Sequence, residues 1–200
     1  MAIAVIPAAG RSRRMGRSKL LLPYEGDTVL GRLVTALQEG GIGRIVVVSR
    51  RDDRRLRRWA KRRGLEVTTN PAPERGMLSS VWRGLEALGG AERLAAGGEP
   101  LLVSPGDLPT LRATTVRALL AALEQGQADL AVPVFQGRRG HPLGIAPRLL
   151  PEVERLDLEV GLRQLLERHA EGLVEVEVED PGAVSDLDSP ADYARLTGES

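Results

Sequence analysis

Short apolar runs alternate with amphipathic segments along most of the chain. Apolar runs of four to six residues are typical of buried strands, and apolar positions spaced three or four apart are typical of helices. This pattern predicts strands over residues 2–6, 44–49, 65–69, 101–103, 129–134, 143–146 and 173–178. It predicts helices over residues 28–38, 52–63, 78–88, 115–124 and 159–169, and a short last helix opened by Pro190. Residues 89–99 are rich in Gly and Ala and are interpreted as a surface loop.

The alternation of strands and helices predicts an α/β fold. We expect a Rossmann-like three-layer sandwich around a mostly parallel sheet. Residues 173–178 alternate apolar and acidic side chains, which indicates an edge strand. We find no repeat and no clear linker, so residues 1–200 are interpreted as a single domain.

Composition narrows the classes of function. The chain has 200 residues, 42% of them hydrophobic, and a formal net charge of +1, which gives no overall electrostatic reason to expect a nucleic-acid or membrane partner. It has no cysteine, so disulfides, thiolate metal sites and a cysteine nucleophile are excluded. No apolar run approaches the length of a membrane span, and the first strand is too short for a signal peptide. We therefore expect a cytoplasmic protein.

A loop of small and basic residues follows the first strand at residues 8–19. Open α/β sheets bind ligands at the carboxyl ends of their strands, and small residues let backbone amides approach a phosphate. Arg14 and Lys19 add positive charge. The patterns Gly-x-Gly-x-x-Gly and Gly-x-x-x-x-Gly-Lys-Ser/Thr are absent, which argues against a dinucleotide enzyme and a P-loop NTPase. The loop is interpreted as a triphosphate site, with a solvated basic loop as the alternative.

Three aspartates are candidate ligands for a hard metal ion. Asp107 lies just past a buried strand, where its carboxylate can bind Mg²⁺ that bridges nucleotide phosphates. The alternative is a turn aspartate or a helix cap. Asp186 and Asp188 point the same way if the backbone between them is extended, so one or both can complete the site. The alternative there is that Asp188 or Ser189 caps the helix opened by Pro190.

Two further features favour structural interpretations. A histidine between glycine and proline, as at His141, is more often structural than catalytic, and with His169 as the only other histidine a multi-histidine metal site is excluded. The basic segment at residues 50–63 suggests RNA binding. We favour a solvated helix face, because the chain has too few aromatic residues for base stacking.

The order of the motifs resembles that of the molybdenum cofactor cytidylyltransferases, within the broader group of MobA-like nucleotidyltransferases. Residues 8–19 are similar to that family's Ala-Ala-Gly-x-Ser-x-Arg-Met-Gly-x-x-Lys motif. The later matching blocks are Asn70-Pro71 with Gly76-Met77-Leu78-Ser79-Ser80, Gly106-Asp107-Leu108-Pro109, Gly140-His141-Pro142, Gly161-Leu162-Arg163 and Asp186-Leu187-Asp188-Ser189-Pro190. The resemblance covers nearly the whole chain.

The resemblance implies a GT-A-like fold and transfer of a nucleotidyl group from an NTP to a phosphorylated acceptor. It implies that Arg14 holds the outgoing phosphates, that Lys19 holds the α-phosphate, and that Asp107 binds Mg²⁺ with help from Asp186 or Asp188. The implied nucleotide-binding residues are Ala8, Ala9, Gly10, Arg11, Ser12, Arg14, Lys19, Asn70, Gly76, Ser79 and Ser80. The implied acceptor-binding residues are Gly140, His141, Pro142 and Arg163.

The resemblance also implies CTP as the NTP, molybdopterin as the acceptor, and a molybdoenzyme or chaperone as recipient of the product. Ala9 matches the pattern of CTP users, whereas GTP users carry glycine there. One methyl group changes discrimination by only about 1–3 kcal/mol. A GTP-using guanylyltransferase and a transferase for another small phosphorylated acceptor therefore stay open. A non-catalytic nucleotide-binding regulator and an RNA-binding protein are the alternatives from other classes.

Overall fold

The structure is a computed structural model that describes residues 1–10, 19–124, 126 and 128–198. The strands of the described chain are β1 (Ala2–Ala8), β2 (Pro23–Tyr24), β3 (Asp27–Thr28), β4 (Ile42–Arg50), β5 (Glu66–Asn70), β6 (Leu101–Val103), β7 (Leu130–Phe135), β8 (Arg138–Arg139), β9 (Leu143–Ile145) and β10 (Leu173–Glu177). The helices are α1 (Val29–Glu39), α2 (Arg54–Arg62), α3 (Met77–Ala87), α4 (Ala91–Ala96), α5 (Ala113–Glu124), α6 (Leu150–Val153), α7 (Arg163–Arg168) and α8 (Pro190–Thr197).

The main sheet has the strand order β10-β7-β9-β6-β1-β4-β5, and β8 pairs with β7 outside this path. Strands β5, β4, β1 and β6 run parallel to one another, as β10 does to β7. Strand β9 is antiparallel to both β6 and β7. The prediction of a mostly parallel sheet is confirmed, and the reversal at β9 is an addition that its apolar sequence does not show.

Helices cover both faces of the sheet, because the side chains of β1 alternate between two cores. Ala4 and Ile6 belong to the core beneath α1, α2 and α5. Ile3 and Val5 belong to the core beneath α3, α4 and α6. All four side chains are fully buried. A strand buried on both faces reads as a continuous apolar run, and this is the pattern of a three-layer α/β sandwich.

The Gly- and Ala-rich stretch at residues 89–99 is not a loop throughout, and that prediction is wrong. Residues Ala91–Ala96 form α4. Ala91 and Leu94 are almost fully buried, so this segment packs against the rest of the protein and is not a solvated turn. Gly90, with φ of +93°, begins the helix in a backbone conformation that suits glycine.

Two other segments at the carboxyl-terminal end test the predictions. The helix predicted over residues 159–169 is shorter, since α7 begins at Arg163. Strand β10 lies at one end of the sheet, which confirms the edge strand indicated by its alternating acidic residues. No helix in the described part of the chain combines the length and the apolar character needed to cross a membrane.

The parallel strands place one edge of the sheet at the predicted site. Strand β1 pairs with β6 on one side and with β4 on the other, and β5 follows β4. Because these strands are parallel, their carboxyl ends share one edge. The segments after Ala8, Asn70 and Val103 therefore begin at the same edge.

Candidate active site

A buried ion pair lies at the carboxyl ends of β1 and β6. Lys19 Nζ is 2.5 Å from Asp107 Oδ2, and both side chains are more than four-fifths buried. Lys19 begins a short 3₁₀ turn after the first loop, and Asp107 lies four residues beyond the end of β6. The prediction that these two loops meet at one edge of the sheet is confirmed.

The segment at residues 186–188 joins this pair from the carboxyl-terminal end of the chain. Leu187 N donates to Asp107 O at 3.1 Å, which ties the two backbones together. Asp188 Oδ1 lies 3.1 Å from Lys19 Nζ, so Lys19 contacts two carboxylates. Ser189 caps α8 and forms a capping box with Asp192, so Asp188 is not the helix cap.

One oxygen of Asp107 has no hydrogen-bond partner among the described residues. Oδ1 is buried, and no hydrogen-bond donor of the described residues reaches it. A buried carboxylate oxygen without a donor is costly, and native proteins keep few of them. The arrangement therefore leaves a negatively charged oxygen free to bind a cation beside a fixed ammonium group.

The charge on Lys19 is set by two opposing effects. Partial burial by itself would lower the pKa of Lys19. The hydrogen bond and charge of Asp107, followed by those of Asp188, outweigh burial and raise the pKa of Lys19 above its usual value. Lys19 is therefore an ammonium ion at neutral pH and can bind a phosphate oxygen.

His141 lies close to the aspartates but is held by backbone contacts. His141 N donates to Ala183 O at 2.8 Å, and the His141–Pro142 peptide bond is cis. Partial desolvation lowers the pKa of His141, although the charges of Asp186 and Asp107 act in the opposite direction. A side chain at Gly140 would collide with the Ala183 carbonyl, which explains why glycine occupies this position.

Three predicted nucleotide-side residues form a buried hydrogen-bond network. Asn70 Nδ2 donates to Ser79 Oγ at 2.7 Å and to Ser80 Oγ at 3.0 Å, and Asn70 Oδ1 accepts from Ala72 N at 2.9 Å. Ser79 Oγ donates in turn to Gly76 O at 2.7 Å. The network fixes the turn between β5 and α3 at the site edge. Contact of these residues with a nucleoside stays a prediction.

A model of the MobA-like NTP transferase domain matches residues 4–173 of the chain. The chain belongs to this family. Membership makes the protein a nucleotidyltransferase, as the resemblance of its motifs implies. The match includes Lys19, Asp107 and the network at Asn70, whereas Asp186 and Asp188 lie beyond its end.

Individual relatives and solved structures resemble this chain over nearly its full length. The molybdenum cofactor cytidylyltransferase of Escherichia coli K12 is 28% identical over 94% of this chain and 92% of that protein. The purine catabolism protein PucB of Bacillus subtilis 168 is 30% identical over 96% of this chain and 93% of its own. The Mycobacterium tuberculosis H37Rv protein Rv0371c has a TM-score of 0.80 at 25% identity, over all of both chains. A second structure of Rv0371c, in complex with manganese, has a TM-score of 0.71 at 24% identity, over 100% of this chain and 99% of that one.

The predicted acceptor-side residues of this MobA-like transferase share a cavity of about 530 Å³. Gly140, His141 and Arg163 line it together with Gly76. Arg163 is exposed, and its guanidinium pairs with Glu167 at 2.7 Å. Pro142 is buried beside His141. The structure therefore brings these sequence motifs to one place, next to the aspartates.

The described residues include only part of the first loop of the family motif. Ala8 and Ala9 are buried at the end of β1, and Gly10 is exposed with open space where a side chain would stand. The predicted residues Arg11, Ser12 and Arg14 lie outside the described residues. Their roles stay predictions.

Sequence reasoning missed most of the apolar lining of the cavity, including its exposed side chains, whereas one structural interpretation is confirmed. Met77 and Val160 line the cavity and are exposed, although neither is polar. Only the positions of Met77 beside Gly76 and Val160 beside Gly161 pointed to them. In the basic segment, Leu56 and Ala60 of α2 are fully buried and the charged residues face outward, as expected of a solvated helix face.

Proposed function

We propose that this MobA-like transferase moves a cytidylyl group from CTP to the phosphate of molybdopterin, with a divalent cation, Mg²⁺, as cofactor. A phosphate oxygen of the acceptor bonds to the α-phosphorus of the nucleotide. The bond from that phosphorus to the bridging oxygen breaks, and pyrophosphate leaves. The observation that carries this proposal is the buried Asp107 carboxylate, in which one oxygen is paired with Lys19 and the other has no donor in the described part of the chain.

The residues at this edge fit a divalent cation. Asp107 Oδ1 supplies a buried anionic oxygen, and Asp188 and Asp186 lie on the adjoining segment. The described residues contain no group of three carboxylate or histidine side chains arranged to enclose a metal. Mg²⁺ is commonly held by one or two carboxylates with water and substrate phosphates, so this sparse donor set suits it. When bound, the cation neutralises charge that develops on the phosphates.

Lys19 and Asp107 act through position and charge. Lys19 is an ammonium ion fixed by two carboxylates, so it can contact the α-phosphate without a large rearrangement of its side chain. A preorganised cation of this kind stabilises phosphate charge more in the transition state than bulk water does. Arg14 is proposed to hold the outgoing phosphates, on the strength of its place in the family motif alone.

The choice of CTP and molybdopterin rests on likeness to relatives. The cytidylyltransferase from Escherichia coli resembles this chain over nearly its full length. Ala9 is buried at the end of β1, where a side chain smaller or larger than a methyl group would change the space beside the nucleotide. PucB, whose name refers to purine catabolism, is similar to this chain over a comparable length, so the acceptor is the part of the proposal that needs its own experiment. A molybdoenzyme or its chaperone is proposed to receive the product.

Nucleotide binding tests this proposal without the acceptor. Thermal unfolding is measured with CTP, GTP, ATP and UTP, each with and without Mg²⁺, because a ligand that binds the folded state raises its stability. We expect a shift with CTP and Mg²⁺ that exceeds the shifts with the other nucleotides. A larger shift with GTP would replace the base assignment but keep the enzyme class. Release of pyrophosphate from CTP only when molybdopterin is present would establish the acceptor.

A further inference from the structure

Exposed hydrophobic side chains concentrate at one cavity. Among the described residues, the large hydrophobic side chains that are exposed are Met1, Met77 and Val160. Met77 and Val160, each more than two-fifths exposed, both line the 530 Å³ cavity beside the aspartates. An exposed apolar surface inside a cavity is typical of a ligand site, whereas scattered exposed residues need no explanation.

The interior of the cavity is apolar as well. Its lining includes the buried strand residues Val103, Val132 and Leu143, Leu162 just before α7, and Leu166 of α7. None of these side chains can form a hydrogen bond. The cavity is also lined by the polar side chains of Arg139, His141, Glu159 and Arg163, so the apolar surface lies beside groups that can bind a phosphate. A ligand that places hydroxyl groups against the apolar part would lose hydrogen bonds to water without replacing them, and such a loss opposes binding.

The two exposed residues belong to segments that approach each other closely. Gly76 precedes Met77, and a side-chain carbon at Gly76 would stand 3.9 Å from the Leu158 carbonyl oxygen. Val160 follows Leu158 by two residues. Gly76 also has a φ of +90°, which favours glycine at the start of α3. Met77 and Val160 can therefore contact one ligand from two sides.

We propose that Met77 and Val160 determine acceptor specificity by binding an apolar or aromatic face of the acceptor next to its phosphate. This inference rests on the proposed function, since only transfer to a phosphorylated molecule defines an acceptor. His141 and Pro105 line the cavity, and His141 is near enough to Asp107 to feel its charge, so the phosphate of the acceptor would lie at this part of the cavity. Methionine suits such a role, because its flexible thioether packs well against aromatic rings. Sugar phosphates are then disfavoured acceptors.

Two phosphate monoesters of equal charge, one attached to an aromatic ring system and one to a sugar, test this inference. Binding of 1-naphthyl phosphate and of ribose 5-phosphate is measured by calorimetry, in the presence of CTP and Mg²⁺. In the unaltered protein we expect 1-naphthyl phosphate to bind at least about tenfold more tightly. Equal affinities, or no measurable binding of 1-naphthyl phosphate, would overturn the inference.

A matched pair of double variants assigns the effect to the two side chains. Met77→Ser with Val160→Ser should weaken 1-naphthyl phosphate by about tenfold and leave ribose 5-phosphate unchanged. Met77→Leu with Val160→Ile keeps the apolar surface and should retain the affinity. Unchanged affinity in the serine variant would contradict the assignment. The CTP-dependent thermal shift is measured on the unaltered protein and on every variant. Absence of this shift in the unaltered protein would contradict the proposed function rather than this inference.

Discussion

Asp107 and Asp180 are both buried aspartates, but the hydrogen bonding of their carboxylate oxygens differs. Asp180 is 1% exposed, and each of its oxygens accepts hydrogen bonds. Oδ2 accepts from Arg112 N at 2.9 Å and Thr115 Oγ1 at 2.6 Å, and Oδ1 accepts from Gly182 N at 2.9 Å. This carboxylate joins the start of α5 to the segment after β10.

Asp107 is nearly as buried, but its bonding is incomplete. Oδ2 contacts Lys19, whereas Oδ1 has no donor among the described residues. A protein gains stability when it satisfies every oxygen of a buried carboxylate, so an unsatisfied oxygen indicates selection for something other than stability. Burial alone therefore does not distinguish the two aspartates, whereas the oxygen without a described donor does, and the proposed role of Asp107 rests on it.

The largest expected effect is on turnover, from Asp107→Asn. The change keeps the size of the side chain but removes the charge that would bind a cation, so we expect turnover to fall by at least about 100-fold. Circular dichroism and thermal unfolding should show a folded protein. Pyrophosphate release is the measurement. Near-normal rates in this variant would mean that the unsatisfied oxygen has no role in transfer.

A second expected loss of turnover comes from Lys19→Ala, and here the ion pair makes the outcome more specific. We expect at least about a 100-fold loss, because the ammonium group near the α-phosphate is removed. The same change leaves Asp107 buried without its cation, so the free energy of unfolding should also fall. The double variant Lys19→Ala with Asp107→Asn should recover part of that stability and none of the turnover. If the two single changes lower the free energy of unfolding independently and additively, the proposed coupling between Lys19 and Asp107 is contradicted.

The sequence predicts those parts of the fold and of the candidate site that depend on the local pattern of apolar residues. Apolar runs at residues 2–6 and 101–103 are continuous because both faces of the strands are buried, so β1 and β6 could be located, with their following loops at one edge. The chemistry of Lys19 and Asp107 could be suggested from residue type, but their 2.5 Å contact depends on sheet order. Sheet order is a tertiary property that alternation does not encode.

Other parts of the site depend on contacts between distant segments and could not be predicted. Asp180 reaches Thr115 across 65 positions of the sequence, and nothing in the residues around either indicates the pairing. In the sequence Met77 and Val160 are ordinary apolar residues, and only the structure shows that both are exposed in one cavity. The helix α4 was missed because glycines stand at both of its ends and favour a loop, although alanine itself is a strong helix former.

The structural side of the comparison is tested by Asp180→Asn. An amide nitrogen cannot accept the hydrogen bonds that one carboxylate oxygen receives, so we expect the free energy of unfolding to fall by about 1–3 kcal/mol. Turnover per folded molecule should stay the same, the opposite of Asp107→Asn. Urea unfolding and pyrophosphate release provide the two readouts. Thr115→Val, which removes only one donor, should cost about 1 kcal/mol. A loss of turnover at full stability would reverse the roles assigned to the two aspartates.

The smallest expected effect concerns a third carboxylate, Asp192, which lies at the surface and extends the comparison of the two buried aspartates. Its oxygens accept from Ser189 N and Oγ, from Arg195 and from Asp188 N, and these bonds lower the pKa of Asp192 to about 2 from its ordinary 3.8. The ionised form is favoured in the folded state, so its contribution to stability is complete above pH 3.8 and lost as the pH falls through about 2. Nuclear magnetic resonance titration should show this midpoint, and Ser189→Ala should move it upward. A midpoint near 3.8 in the unaltered protein would show that the capping box does not hold this carboxylate as the geometry indicates.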